Sequence, residues 1–158
     1  MSTHSGAASL QLVAFLIDGA RYAVSLAAVE RVFRMVAVYP LPGGPEALLG
    51  VMNLHGRPIA VVDLRRRVGL AAREYGLAAH LLIVSTPRRR LAIATDEVLG
   101  PVEIEAAVVA PPQAISPGRG PLSGVAALAQ GLLFIHDLEA FLTPDEERLV
   151  DHALKARR

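Results

Sequence analysis

The sequence predicts a mainly β protein built from two copies of one small barrel-like unit. Short apolar runs rich in Val and Ile are separated by frequent Gly, Pro and Asp turn signals, which is typical of small antiparallel sheets and barrels. The spacing of these runs leaves no room for the long helical crossovers of a parallel sheet. The third observation is an internal repeat, which indicates that one structural unit occurs twice.

The repeat is clearest in the stretch around which the chain is organised, residues 50–64. This stretch reads Gly-Val-Met-Asn-Leu-His-Gly-Arg-Pro-Ile-Ala-Val-Val-Asp-Leu, and residues 124–138 read Gly-Val-Ala-Ala-Leu-Ala-Gln-Gly-Leu-Leu-Phe-Ile-His-Asp-Leu. In each copy, the residue pattern predicts a turn followed by a buried strand that ends at an aspartate. Because an aspartate there can accept hydrogen bonds from the backbone N–H groups that follow, Asp63 and Asp137 are predicted structural caps.

The opening of the chain is also repeated. Apolar residues alternate on both sides of the turn Asp18-Gly19, which predicts a β-hairpin. Residues 81–98 repeat this hairpin at an offset of 69, with 87–90 as its turn. After the first hairpin, residues 26–33 place Val29, Val32 and Phe33 on one helical face, so a short helical tract is predicted there with Ser25 as its N-cap.

These signals predict the domain organisation. One domain spans 10–142 and consists of two repeated barrel units, approximately 15–75 and 76–138, whose terminal segments can cross over between them. Residues 1–9 are small and polar and are predicted to be disordered. Residues 143–158 are predicted to form a C-terminal helix, because Thr143, Pro144 and Glu146 have the pattern of a capping box with proline at the first helical position.

Composition and motifs favour a protein that is not an enzyme. The chain has 16 Lys+Arg, 15 Asp+Glu and no cysteine, so disulfides and thiol chemistry are excluded and a reducing, cytoplasmic setting is expected. No secretory signal and no membrane insertion are predicted. The five histidines lack metal-ligand spacing, and phosphate-binding loops and the G-x-S-x-G nucleophile motif are missing. We therefore expect no catalytic residue, no metal and no cofactor.

Two arginine triplets, Arg65–Arg67 and Arg88–Arg90, offer an alternative, because small barrels also bind nucleic acids. Single-strand binders usually place stacking aromatic side chains among the basic ones. This chain has no Trp, and its Phe and Tyr lie mostly at core-like positions. The triplets are expected to be solvated turns, and nucleic acid is not an expected partner.

The stretch 50–64 resembles the G-V-x-N-L-R-G…D-L motif of the CheW family of bacterial chemosensory coupling proteins, and the resemblance extends from about Leu12 to Leu142. It implies two intertwined five-stranded SH3-like barrels and a non-catalytic scaffold at membrane receptor arrays in the cytoplasm. The implied partners are the regulatory domain of a CheA-type histidine kinase, bound barrel to barrel, and the hairpin tip of a methyl-accepting chemoreceptor, bound in a groove between the barrels. Other CheW-like proteins in array rings are further implied partners.

The resemblance also implies site residues. Those of the receptor groove are Val29, Arg31, His55, Leu81 and Val98, and those of the kinase surface are Val38, Pro40, Leu41 and Ile59. His55 replaces the usual arginine and Arg31 stands where many members have glutamate. If the two form one polar rim, its charge pattern is reversed. That change suggests a different receptor partner or a non-motility chemosensory system. An accessory or competitor role, in which the chain occupies receptors without activating kinase, is a second alternative.

Overall fold

The structure is a computed structural model that describes residues 8–71, 73–112 and 122–156. Within these residues, eleven strands form two sheets, and two helices and three short 3-10 turns connect or flank them. The strands are β1 Ser9–Ile17, β2 Ala20–Ser25, β3 Val29–Arg34, β4 Leu48–Leu54, β5 Arg57–Asp63, β6 His80–Ser85, β7 Arg90–Thr95, β8 Glu97–Glu105, β9 Val109–Ala110, β10 Leu122–Leu128 and β11 Gly131–His136. The helices are α1 Leu64–Arg67 and α2 Pro144–Ala156, and the 3-10 turns are Leu26–Ala28, Ala106–Val108 and Leu138–Ala140.

The predicted mainly β class with two small, intertwined barrel units is confirmed. The five-stranded sheet has the order β3-β6-β7-β5-β4, and the six-stranded sheet has the order β8-β1-β2-β11-β10-β9. Strand β9, which lies at the end of the six-stranded sheet, is only two residues long. In the five-stranded sheet, Tyr39 pairs with Val51, so the chain that leaves edge strand β3 returns to the opposite edge strand β4.

The predicted division near residues 75 and 76 does not separate the two sheets. Hairpin β1–β2 lies in the six-stranded sheet with β10 and β11, whereas β3, β4 and β5 lie with hairpin β6–β7. The parallel pairs β2–β11 and β5–β7 make these joins. Each sheet therefore combines one hairpin from one half of the sequence with strands from the other half, so neither half can complete its sheet alone.

The strand registers show that the sequence repeat is a structural repeat. Gly50 pairs with Val61 as Gly124 pairs with Ile135, and both copies carry a bulge before that glycine. The parallel strand pairs also correspond between the two sheets, since the pair Ala60–Leu91 in one sheet is equivalent to the pair Phe134–Tyr22 in the other. The offset is 74 in the second hairpins (50 to 124) and 69 in the opening hairpins, where Val13↔Val24 corresponds to Leu82↔Ile93.

The two repeated glycines have a steric role at these bulges. A Cβ on Gly50 would lie far closer to the Tyr39 carbonyl oxygen than the van der Waals contact distance allows, and one on Gly124 would overlap a methyl group of Val109. At both places a segment from earlier in the chain crosses directly over the glycine. The identity of Gly50 and Gly124 therefore follows from the close backbone approach that the second hairpin of each repeat requires.

Three apolar clusters hold the fold together. One cluster lies inside the five-stranded sheet and includes Leu81 and Ile83, and a second lies inside the six-stranded sheet and includes Leu12 and Leu133. The largest contains residues of both sheets, such as Phe15 and Leu82. Strand β6 is buried on both faces, which explains its continuous apolar run.

The predicted helical tract 26–33 is wrong. Leu26–Ala28 form a single 3-10 turn, Ser25 makes no side-chain capping bond, and Val29–Arg34 form strand β3. The apolar spacing suited a helix, but β-branched residues also suit a strand, and pairing with β6 supplies the hydrogen bonds that decide between the two.

The predicted caps have the following geometry. The Asp63 carboxylate accepts a hydrogen bond from the Arg65 backbone N–H at 3.2 Å, and the Asp137 carboxylate accepts one from Glu139 at 3.0 Å. At α2, the Thr143 N–H donates to the Glu146 carboxylate at 2.8 Å and the Glu146 N–H donates to the Thr143 hydroxyl at 3.1 Å, which is a capping box.

The ends of the chain differ in part from the sequence expectations. Of the predicted disordered start 1–9, residues 1–7 lie outside the described residues, whereas Ser9 begins β1 and the Ala8 carbonyl accepts a hydrogen bond from Ala106. Helix α2 buries Val150 and Ala153 but leaves Leu149 45% exposed. Residues 157 and 158 of the predicted helix lie outside the described residues.

Candidate partner-binding surfaces

Val29 and Val98, both predicted for the receptor groove, occupy internally equivalent positions. Val29 pairs with Val84 at the start of β3, and Val98 pairs with Phe15 near the start of β8. Both are partly exposed and pack against the apolar cluster shared by the two sheets. The structure thus places these two valines at the border between the sheets, on an edge strand of each.

Leu81 is not on a surface, which corrects the expectation that it lines the groove. Its side chain is fully buried in the cluster inside the five-stranded sheet. Strand β6 lies between β3 and β7 in the sheet. Leu81 is covered on its own face of that sheet, and the adjacent residues of β6 are covered on the opposite face. Leu81 supports the strand that carries Val29 and cannot contact a partner directly.

Arg31 and His55 are both exposed. Arg31 lies on edge strand β3, whereas His55 lies in the turn that follows the opposite edge strand, β4. The Arg31 guanidinium carbon lies 5.9 Å from the centre of the Phe33 ring. His55 occupies the tip of the β4–β5 hairpin with φ 53°, a left-handed conformation that histidine tolerates better than most residues. The Gly56 N–H donates to the Asn53 side chain at 2.7 Å and tightens this turn. The structure therefore gives the two side chains separate surroundings.

The residues predicted for the kinase surface divide into exposed and buried ones. Pro40 is exposed, and Val38 and Leu41 are half-buried. Ile59 is only 7% exposed, because it packs in the cluster inside the five-stranded sheet, although it also lines a cleft at the start of β5. The apolar run at 59–62 predicted a buried strand, which the structure agrees with, whereas the resemblance implied that Ile59 belongs to the kinase surface.

Tyr39 is an exposed aromatic residue that sequence reasoning did not single out. Its backbone is held by two hydrogen bonds to Val51, at 2.8 and 2.7 Å, while 55% of the residue is exposed. An aromatic side chain on a rigid backbone is a typical anchor of protein interfaces. Its position in the sequence between Val38 and Pro40, which were both predicted for the kinase surface, was the signal that could have identified it.

A buried ionic network joins the two sheets. Arg65 of α1 is 1% exposed and forms ion pairs with Asp18, in the β1–β2 turn, and Asp96, between β7 and β8. Its guanidinium carbon also lies 4.9 Å from the centre of the Tyr75 ring. Burial lowers the pKa of Arg65, but its hydrogen bond to Asp18 and the charge of Asp96 outweigh burial and leave that pKa above its ordinary value. Arg65 is therefore a permanent cation that links α1 to both sheets.

Tyr75 and Arg73 extend this network. The Tyr75 hydroxyl donates to the Asp63 carboxylate at 2.7 Å, and Arg73 also pairs with Asp18. Burial raises the pKa of the Tyr75 phenol, and its hydrogen bond to Asp63 raises it further. Asp63 thus receives hydrogen bonds both from α1 and from the loop after it, which is a structural role.

The arginine triplets are largely committed to ion pairs within the chain, which argues against the nucleic-acid alternative. Besides Arg65, the paired members are Arg66 with Asp63, Arg67 with Glu146, Arg89 with Glu147 and Asp151, and Arg90 with Glu30. Burial lowers the pKa of Arg89, but its bonds to Asp151 and Glu147 raise it overall. Phosphate contacts require accessible cations, and these side chains instead hold α1 and α2 against the sheets.

Two clefts of about 680 and 400 Å³ adjoin the start of β5 and share Gly56, Pro58 and Leu154. They are lined by strand and loop residues and by the end of α2. Within the described ranges, no group of three or more acidic or histidine side chains is arranged to hold a metal ion. None of the helices in the described part of the chain is long and apolar enough to span a membrane.

The exchange of hairpins between two sheets, with partly exposed apolar side chains at their border, defines a protein of the intertwined two-barrel class. The family model of the CheW-like domain matches residues 11–146. The chain therefore belongs to the CheW-like domain family.

Relatives of known name agree with that assignment. The chain is 26% identical to the probable chemotaxis protein CheW of Rhizobium etli over 139 residues, covering 86% of this chain and 89% of the relative. It is 24% identical to the chemotaxis protein CheW of Klebsiella aerogenes over 148 residues, covering 92% of this chain and 89% of the relative. The crystal structure of the scaffolding protein TtCheW from Thermoanaerobacter tengcongensis superposes with a TM-score of 0.79 at 22% identity, covering 88% of this chain and 96% of that one.

Proposed function

We propose that this protein couples the cytoplasmic tips of chemoreceptors to a CheA-type histidine kinase in a receptor array. The observation that carries the proposal is the family match over 11–146. The sheet topology supports it, because two interlocked sheets give a rigid body that can hold two partners at once. The regulatory domain of the kinase would bind barrel to barrel, and the receptor hairpin would bind between the barrels.

Co-purification tests this function most directly. We expect the chain to bind a cognate kinase regulatory domain and a receptor signalling fragment separately, and to form a ternary complex with both. Capture of the receptor alone would favour the accessory or competitor role. Failure to bind either partner would contradict the proposal.

The proposed receptor groove includes Val29, Arg31, His55 and Val98, with Leu81 as buried support. His55→Arg is expected to change receptor affinity about three- to tenfold, because an imidazole is replaced by a permanent cation with five N–H donors at an exposed hairpin tip. Kinase affinity should stay at the wild-type value, and the unfolding midpoint should fall slightly, because arginine adopts the left-handed conformation at φ 53° less readily than histidine. Isothermal titration with each partner provides the measurement, and equal changes for both partners would show that His55 does not border the receptor groove.

The proposed kinase surface comprises Val38, Tyr39, Pro40 and Leu41. Tyr39→Ser is expected to weaken kinase binding by about tenfold, because an exposed aromatic anchor is lost while the backbone bonds to Val51 remain. Leu149→Ser is the matched control, since Leu149 of α2 is exposed to a similar degree, 45% against 55%. If the two variants weaken kinase binding equally, Tyr39 is not part of the kinase surface.

A further inference from the structure

A cavity of about 490 Å³ lies where the two sheets meet, beside the end of β11. Its lining comes from the segment after β2, from the β6–β7 turn and from the residues after β11. Among its lining residues are Ser25, Ala28, Ser85, Pro87, Asp137 and Glu139. Both sheets therefore contribute to this cavity.

The cavity is the internal counterpart of the Arg65 network. With the offsets shown by the strand registers, Asp18 of the first turn corresponds to Pro87, and Asp96 corresponds to Ala27. By the offset of the second hairpins, Arg65 corresponds to Glu139. In the network, Arg65 supplies the cation that pairs with two carboxylates. At the cavity, the position equivalent to Arg65 holds a carboxylate, and the positions equivalent to its two acidic partners hold uncharged residues.

The charges at the cavity complement a cation. Its described lining contains the carboxylates of Asp137 and Glu139, together with the imidazole of His136, which is 3% exposed. That lining contains no Lys or Arg, and the hydroxyls of Ser25 and Ser85 are further acceptors. In the counterpart, one guanidinium binds two carboxylates at the same junction. A planar guanidinium with five N–H donors suits several acceptors at once better than an ammonium does.

We propose that this cavity receives an arginine side chain from the receptor hairpin. The inference rests on the proposed function, since it names one contact of the receptor groove. Ala28, in the cavity wall, directly precedes Val29 of that groove, so a helix lying along Val29 can extend a side chain into the cavity. The bound arginine would lie beside Glu139, the residue that stands at the position of Arg65 in the other repeat.

The first experiment tests the cavity without any partner. Amide chemical shifts of the full chain are followed by NMR during titration with N-acetyl-arginine methylamide and with its neutral isostere N-acetyl-citrulline methylamide. We expect the arginine probe to shift the amides of Ser85 and Glu139 at millimolar concentration, and Glu139→Gln to reduce this shift at Ser85. Equal shifts with both probes, or none, would overturn the inference.

The second experiment measures affinity for the receptor fragment. Glu139→Arg, which puts the cation of the other repeat into this place, is expected to weaken binding about tenfold, and Glu139→Gln about threefold. Glu105→Gln, at an exposed carboxylate of β8, is the matched control and should bind as the wild type does. Wild-type affinity in Glu139→Arg would overturn the inference and leave the proposed function intact. No binding by the wild type would contradict the proposed function, and the probe titration would still decide whether the cavity selects a guanidinium.

Discussion

Arg65→Met is expected to lower the free energy of unfolding by about 3 kcal/mol, because removing one partner of a buried ion pair leaves uncompensated charge. Arg65 is 1% exposed, while its partners Asp18 and Asp96 are 33% and 24% exposed. Water can partly solvate those two carboxylates, which places the expected loss at the lower end of the range for buried pairs. Urea unfolding followed by circular dichroism measures it.

Two further variants show whether the charge is responsible. Arg88→Met removes an exposed arginine of the β6–β7 turn and should change stability by no more than about 0.5 kcal/mol. The triple variant Arg65→Met, Asp18→Asn, Asp96→Asn should recover much of the loss, since the two carboxylates are then neutral and Arg73, which loses its partners, is 62% exposed and solvated by water. A loss in Arg65→Met no larger than in Arg88→Met would show that the network contributes little to joining the sheets.

Gly50→Ala is expected to destabilise the protein by at least about 2 kcal/mol, because the new Cβ would overlap a backbone oxygen and the backbone must shift. The atom it meets is the Tyr39 carbonyl oxygen, which accepts the hydrogen bond from Val51. Separation of these two segments would open the edge at which the five-stranded sheet closes. Hydrogen exchange at the amides of Tyr39 and Val51 should therefore accelerate more than exchange in β6.

The control for this substitution is Gly76→Ala. No atom lies within 4 Å of the Cβ that it would add, and alanine there should leave stability unchanged or raise it slightly. Gly124→Ala tests the equivalent place in the other repeat, where a Val109 methyl group lies in the way. Because a side chain yields more readily than a backbone carbonyl, its loss should be smaller. Equal stability of Gly50→Ala and Gly76→Ala would refute the close-approach explanation.

The sequence by itself determined the class of fold and the repeat. Alternation and turn residues identified hairpins β1–β2, β4–β5, β6–β7 and β10–β11, because both signals are local. The identities at Gly50/Gly124 and Asp63/Asp137 were visible without coordinates, since the same local geometry recurs and requires the same residue types. The capping box of α2 was readable for the same reason.

Only the tertiary structure decided how the halves combine and which residues reach the surface. The exchange of hairpins between the sheets depends on parallel pairs between distant strands, and no local pattern specifies such partners. Residues 26–33 became a turn and strand β3 because β6 was available for pairing, against the apolar spacing. The resemblance placed Leu81 and Ile59 on partner surfaces, yet both are buried in the cluster inside the five-stranded sheet, because burial depends on every layer of the fold. The Arg65 network and its open counterpart likewise arise where residues far apart in sequence meet at one junction.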